Sequence, residues 1–159
     1  MSVATDRGSK LLIVDDDAGG RTFLRLSLEL EGFSVVEACN GPEALSLLSD
    51  DIDACITDLT MPCMDGIELI SLVHQIRQDL PVLIISGNFR QYANRLTSLN
   101  WVQKPFSSGE VARRVRELIA KLEGRKKHSQ TIDDPTSSTR APHSRIHGGA
   151  DGPFDQDEQ

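Results

Sequence analysis

Four stretches of this chain place reactive side chains at or just behind the ends of short segments carrying apolar residues. Asp15, Asp16 and Asp17 follow "LLIV", Asp58 closes "ACITD", Ser86 closes "VLIIS", and Lys104 follows "NWVQ". Carboxylates crowded at one place repel one another unless a positive charge lies among them. A hard divalent cation relieves that crowding. Mg²⁺ in particular takes one or two carboxylates, keeps several waters and accepts phosphate oxygens. With such an ion bound, Asp58 is placed to act as a nucleophile toward phosphorus. Lys104 is a compact charge able to pair with Asp58 or with an incoming phosphoryl group, and Ser86 offers a hydroxyl donor. A loose phosphoryl-transfer transition state asks mainly for positioning and charge neutralisation. The competing reading is a structural cation site or an ion-pair network. Asp17 is read separately, as a helix N-cap, since an aspartate after a strand commonly caps the next helix.

These residues converge only if the elements behind them do. "KLLIV" and "PVLIIS" are short apolar runs, as expected for strands buried on both faces, and "DACITD" reads as a third strand. "FSVVEA" and "NWVQ" read as two further strands, the last the least hydrophobic. Between them lie helical patterns. Leu24 and Leu28 are four apart before the stop at Gly32, and Pro42 opens "GPEALSLLSD". Ile67, Ile70 and Val73 follow Gly66, and "FRQYANRL" is a short, weak helix. "SSGE" at 107–110 is a capping box before Val111, Val115, Leu118 and Leu122. Strands alternating with helices imply an α/β fold with a doubly wound, five-stranded parallel sheet. Right-handed crossovers leave few topologies, and the strand order read here is 2-1-3-4-5. In that order strands one and three are neighbours, so Asp15, Asp16 and Asp58 meet at one rim, the carboxyl edge where ligands bind such sheets.

The domain is expected over 10–123, after a flexible N-terminus at 1–9. From 124 the chain turns to scattered charge, Ser, Thr, Pro and Gly, and 124–159 reads as a disordered tail. That tail is too short and polar for an output domain. The net charge of −7 argues against direct nucleic-acid binding. No apolar run is long enough for a membrane span, and "MSVATDRGSK" lacks a signal-peptide core, so the expected location is cytoplasmic. Cys39 and Cys55 read as small core residues and Cys63 as a loop residue, with no zinc or disulfide pattern.

Taken together, "LLIVDDD", "DLTMPCMDG", Ser86 before Gly87, and "KPF" resemble the response-regulator receiver domain of two-component signalling. The resemblance spans roughly 10–123 and implies a flavodoxin-like fold of the stand-alone type. It implies that Asp58 is the phosphoacceptor, that Asp15 and Asp16 are the acidic metal-binding pair with Asp58, and that the backbone carbonyl of Thr60 completes the protein ligands to Mg²⁺. Lys104 would contact the phosphoryl group, and Lys104–Pro105 would be cis. Ser86 and Trp101 would form the switch, although a plain core tryptophan is the other reading of Trp101. The spacing from Ser86 to Lys104 is about one helical turn shorter than usual in the family, so a shortened fourth helix is expected. The implied partners are a histidine kinase or histidine phosphotransfer protein and a downstream protein, with the chain a monomer or weak dimer. Phosphotransfer onto itself and its reversal would be the only chemistry. Two alternatives are a receiver fragment of a hybrid kinase and a Mg²⁺-dependent phosphohydrolase working through an aspartyl-phosphate. The hydrolases of that kind carry a second aspartate two residues after the nucleophile, where this chain has Thr60. Arg90, Arg95, Arg113, Arg114 and Arg116 read either as a basic face for an acidic partner or as plain solvated helix faces.

Overall fold

A computed structural model describes residues 8–130 apart from residue 97. Its strands are β1 (Lys10–Val14), β2 (Ser34–Ala38), β3 (Ala54–Asp58), β4 (Val82–Ser86) and β5 (Asn100–Gln103). They form one parallel sheet in the order β2-β1-β3-β4-β5, as the sequence pattern implied. The helices are α1 (Ala18–Leu30), α2 (Gly41–Leu47), α3 (Gly66–Ile76), α4 (Phe89–Leu96) and α5 (Ser108–Gln130). The expected short fourth helix is α4, at 8 residues.

Side-chain alternation along the strands divides the core in two. Leu11, Ile13, Ala54, Ile56, Leu83 and Ile85 pack with Leu24 and Leu28 of α1 and Val111 and Val115 of α5. Leu12, Val14, Cys55 and Ile84 face Ala44 of α2 and Leu69, Ile70 and Val73 of α3. Both faces of the three central strands are therefore buried, which is why their sequences are mostly apolar. Full burial also pushes the Cys55 thiol up to about 12, so this cysteine is inert.

Three boundaries differ from expectation. The helix that was to stop at 123 passes through Gly124 and continues to Gln130, so 124–130 is not disordered. A glycine inside a helix costs only about 1 kcal/mol, and the Arg and Lys that follow are good helix formers whose charge suits a helix C-terminus. The remainder of the expected tail, 131–159, lies outside the described residues, as do residues 1–7 of the expected flexible N-terminus. Ser9 is already tied in, because its carbonyl accepts from the Ser34 N–H at 3.0 Å. Cys39 is exposed rather than in the core: β2 is an edge strand ending at Ala38, and the Cys39 N–H is held by the Glu43 carboxylate at 2.7 Å.

Candidate functional site

The carboxyl ends of β1 and β3 bring three acidic side chains together. Carboxylate oxygens of Asp15, Asp16 and Asp58 lie within 4.8 Å of one another. Asp15 and Asp58 continue the alternation of Leu11–Ile13 and Ala54–Ile56, so both emerge on the same side of the sheet. Asp15 is 6% exposed and Asp16 is open to solvent. The Lys104 ammonium enters from the end of β5. Its Nζ lies 3.0 Å from Asp58 Oδ2 and 3.4 Å from Asp15 Oδ2. Three carboxylates facing one ammonium leave the cluster net negative and all-oxygen in its donors, a set that suits Mg²⁺.

Backbone groups hold the cluster. Asp58 Oδ1 accepts from the Leu59 N–H at 2.6 Å and the Thr60 N–H at 3.4 Å, which keeps Thr60 at the edge of the site. Asp15 Oδ1 accepts from the Asp17 N–H at 2.9 Å. Asp17 itself caps α1, its Oδ2 accepting from the Gly20 N–H at 2.7 Å, as read from the sequence. Ser86 is buried one residue beyond Ile85, the register partner of Asp58. The Ser86 hydroxyl accepts from the Asn88 N–H at 3.2 Å, and among the described residues no hydrogen bond joins it to Asp58. The Lys104 N–H donates to the Ser86 carbonyl at 2.9 Å, and the Lys104–Pro105 bond is cis. Trp101, half-buried, packs with Tyr92 and Leu99 against the α2/α3 side of the core.

Two contributors went unassigned in the sequence. Arg21 donates to the Asp15 carbonyl at 2.6 Å and pairs with Glu37 at 3.4 Å, pinning the acidic loop to β2. Gly66 opens α3 directly beneath the Asp58 backbone: a Cβ there would lie 2.3 Å from the Asp58 carbonyl oxygen. The "DG" dipeptide at 65–66 marks a turn but does not show what the glycine approaches.

Burial, opposed by the Asp17 N–H and the Lys104 charge, raises the Asp15 carboxyl above its ordinary 3.8. Burial pulls Lys104 down, but its hydrogen bond and charge interaction with Asp58, with Asp15 adding, hold it above its ordinary 10.5. The Asp15 shift carries a consequence for pH. A carboxyl raised in the folded state favours folding when protonated, so the metal-free fold loses this contribution as pH climbs from 3.8 through the raised value. Cation uptake needs the ionised form and so strengthens over the same window. The Mg²⁺-induced rise in Tm should therefore shrink on acidification before ordinary carboxylates titrate. Thermal melts with and without Mg²⁺ across that window check this, and Asp15→Asn should remove the metal-dependent rise at every pH.

The response regulator receiver domain family model matches residues 11–116. A relative, response regulator SaeR of Staphylococcus aureus, is 32% identical over 127 residues, covering 77% of this chain and 55% of that protein. The chain thus spans about half the length of the curated relatives it matches. Among solved structures, a Francisella response-regulator receiver domain aligns with TM-score 0.64 at 30% identity, covering 72% of this chain and 98% of that one. The Vibrio cholerae chemotaxis protein CheY4 aligns with TM-score 0.62 at 25% identity, covering 70% and 98% respectively.

Proposed function

This chain belongs to the response regulator receiver domain family of two-component systems, and we propose that it accepts a phosphoryl group onto Asp58 from a phosphohistidine of a histidine kinase or phosphotransfer protein. The observation that carries this reading is Lys104 Nζ at 3.0 Å from Asp58 Oδ2 within a cluster of three carboxylates. Mg²⁺ held by Asp15, Asp16, Asp58 and the Thr60 carbonyl would supply positive charge to the transferring phosphoryl oxygens. In the step itself an Asp58 carboxylate oxygen bonds to phosphorus and the phosphorus–nitrogen bond breaks. The imidazole leaves as the neutral base once it gains a proton. Lys104, already beside Asp58, pairs with the arriving phosphoryl oxygens.

The new phosphoryl group offers strong acceptors, and Ser86 turns its hydroxyl from the Asn88 N–H to one of them. Trp101, on the strand beside β4, repacks in response, and the altered surface signals to a protein partner or the phosphate passes along a relay. The chain acts in the cytoplasm as a monomer or weak dimer, without direct nucleic-acid contact. Among the described residues no helix is long and apolar enough to cross a membrane. Its chemistry stops at its own phosphorylation and dephosphorylation: Thr60 supplies no carboxylate where a phosphohydrolase acid/base would stand.

The donor reaches the site over α1. Phe23 is 55% exposed and Leu26 and Leu30 lie on the same helix, also exposed. Phe23 also walls a cleft of about 290 Å³ that Lys104 and Phe106 share beside the carboxylates. Incubating the full chain with acetyl phosphate and Mg²⁺ should add one phosphoryl group by intact mass; without Mg²⁺ it should add none. Phe23→Ala should slow transfer from a phosphorylated kinase several-fold while leaving acetyl phosphate labelling unchanged. Steady release of phosphate from a phosphoester would instead indicate a hydrolase. Trp101 is the sole tryptophan, so its emission should shift when beryllofluoride and Mg²⁺ are added. An unchanged spectrum would remove Trp101 from the switch.

A further inference from the structure

At the rim opposite Asp58, the C-terminal half of α5 and the starts of β4 and β5 enclose a cleft of about 620 Å³. Pro81, Leu118 and Leu122 give it an apolar floor, and Lys121, Arg125 and Lys126 line its wall. Those three cations form no hydrogen bond or ion pair among the described residues. The basic side chains nearer the middle of α5 behave differently. Arg113 pairs with Glu117 at 2.8 Å, and Arg116 reaches Glu31 on α1 at 3.1 Å and lies over the Phe33 ring. On α5, the arginines read from the sequence thus have acidic partners, Arg113 and Arg114 sharing Glu117, whereas the cations further along, in the cleft, do not. Asp79 and His74 also line it, and His74 Nε2 is engaged with the Leu80 carbonyl at 3.1 Å.

We propose that the acidic segment 151–159 of this same chain docks in the cleft, its carboxylates against Lys121, Arg125 and Lys126 and Phe154 against the apolar floor. The segment "DGPFDQDEQ" carries Asp151, Asp155, Asp157 and Glu158 and no basic residue. The intervening stretch 131–150 has Asp133 and Asp134 against Arg140 and Arg145, so charge alone singles out 151–159. Reach is sufficient. Lys121 lies about 14 Å up the helix from Gln130 at 1.5 Å per residue. A coil spanning 131–150 has a root-mean-square length of about 25 Å. Tethering at that length gives an effective concentration near the millimolar range, so individually weak ion pairs suffice for occupancy. The segment then competes with any acidic partner for this end of α5. The proposal does not depend on phosphorylation at Asp58.

A nitroxide at Gln159→Cys, in the full chain with Cys39→Ser and Cys63→Ser, tests it by NMR. Amide signals of Lys121, Arg125 and Lys126 should broaden several-fold more than those of α2. The excess should vanish on neutralising the segment (D155N/D157N/E158Q), on reversing the cleft (K121E/R125E/K126E), and in about 0.5 M salt, where screening is strong. It should be independent of protein concentration. Broadening that grows with concentration would assign the contact to a second copy and overturn docking within one chain. Equal broadening on α2 and α5, or none, would overturn the proposal outright.

Discussion

Asp58→Asn should reduce phosphoryl incorporation from acetyl phosphate or a phosphorylated kinase by more than about 100-fold, at least ~2.7 kcal/mol in the barrier, while the fold survives. The carboxamide keeps the size and acceptor geometry that the Leu59 and Thr60 N–H groups require. It lacks the anionic oxygen that the proposed transfer requires. Metal-free stability is the more discriminating readout. Asp58 contributes repulsion toward Asp15 and Asp16 as well as attraction to Lys104. Once it is neutral, Lys104 still has Asp15 at 3.4 Å and two carboxylates share one ammonium. The metal-free Tm should therefore equal or exceed that of the wild type, while the further rise on adding Mg²⁺ becomes much smaller. Intact mass and paired thermal melts read both. A metal-free Tm lower by more than about 4 °C would show that the Lys104 pair outweighs the repulsion. Labelling that persisted would move the acceptor elsewhere.

This site was legible because its parts lie at strand ends, and the strands announce themselves. β1, β3 and β4 sit between two helical layers and are buried on both faces, so their apolar runs mark the strands and the polar residues that close them mark the carboxyl rim. Asp15, Asp58 and Ser86 stand there, Asp58 one residue past the buried Thr57. Lys104 follows β5 by the same logic, and the strand order then gathers them. What escaped depends on distances the chain does not encode locally. Arg116 finds Glu31 across 85 residues, turning a cation expected on an open face into a link between α5 and α1. Cys39 follows β2 as Asp15 follows β1, yet β2 lies at the sheet edge and leaves it exposed. Gly124 carries the stop signal that Gly32 obeys. Gly32 adopts φ +92 and ends α1, whereas Gly124 stays helical within a run of strong helix formers.

Gly66→Ala should destabilise the protein by about 2–3 kcal/mol, near the upper end for overpacking, and weaken the site without touching a reactive group. The added Cβ would lie 2.3 Å from the Asp58 carbonyl oxygen and 2.9 Å from the Leu59 Cα. Both are backbone atoms, so no rotamer change relieves the clash. The Gly66 N–H also donates to the Leu59 carbonyl at 2.9 Å, and Asp65 caps the same helix through the Glu68 N–H at 2.8 Å. Two outcomes are open to the chain: α3 backs away from β3 and breaks the Gly66–Leu59 bond, its own cap moving with it, or the Asp58–Leu59 backbone shifts. The second moves Asp58 relative to Asp15, Asp16 and Lys104, so Mg²⁺ uptake and acetyl phosphate labelling should fall along with stability. Gly109→Ala is the matched control. It adds the same methyl to a helix with nothing within 4 Å, and should leave stability unchanged or raise it by about 0.5–1 kcal/mol. Urea unfolding of the two variants, each with a Mg²⁺ titration, separates the effects. If Gly66→Ala unfolds at the wild-type midpoint, the close approach of α3 to β3 does not set the position of Asp58. If it loses stability but binds Mg²⁺ normally, α3 has moved and Asp58 has not.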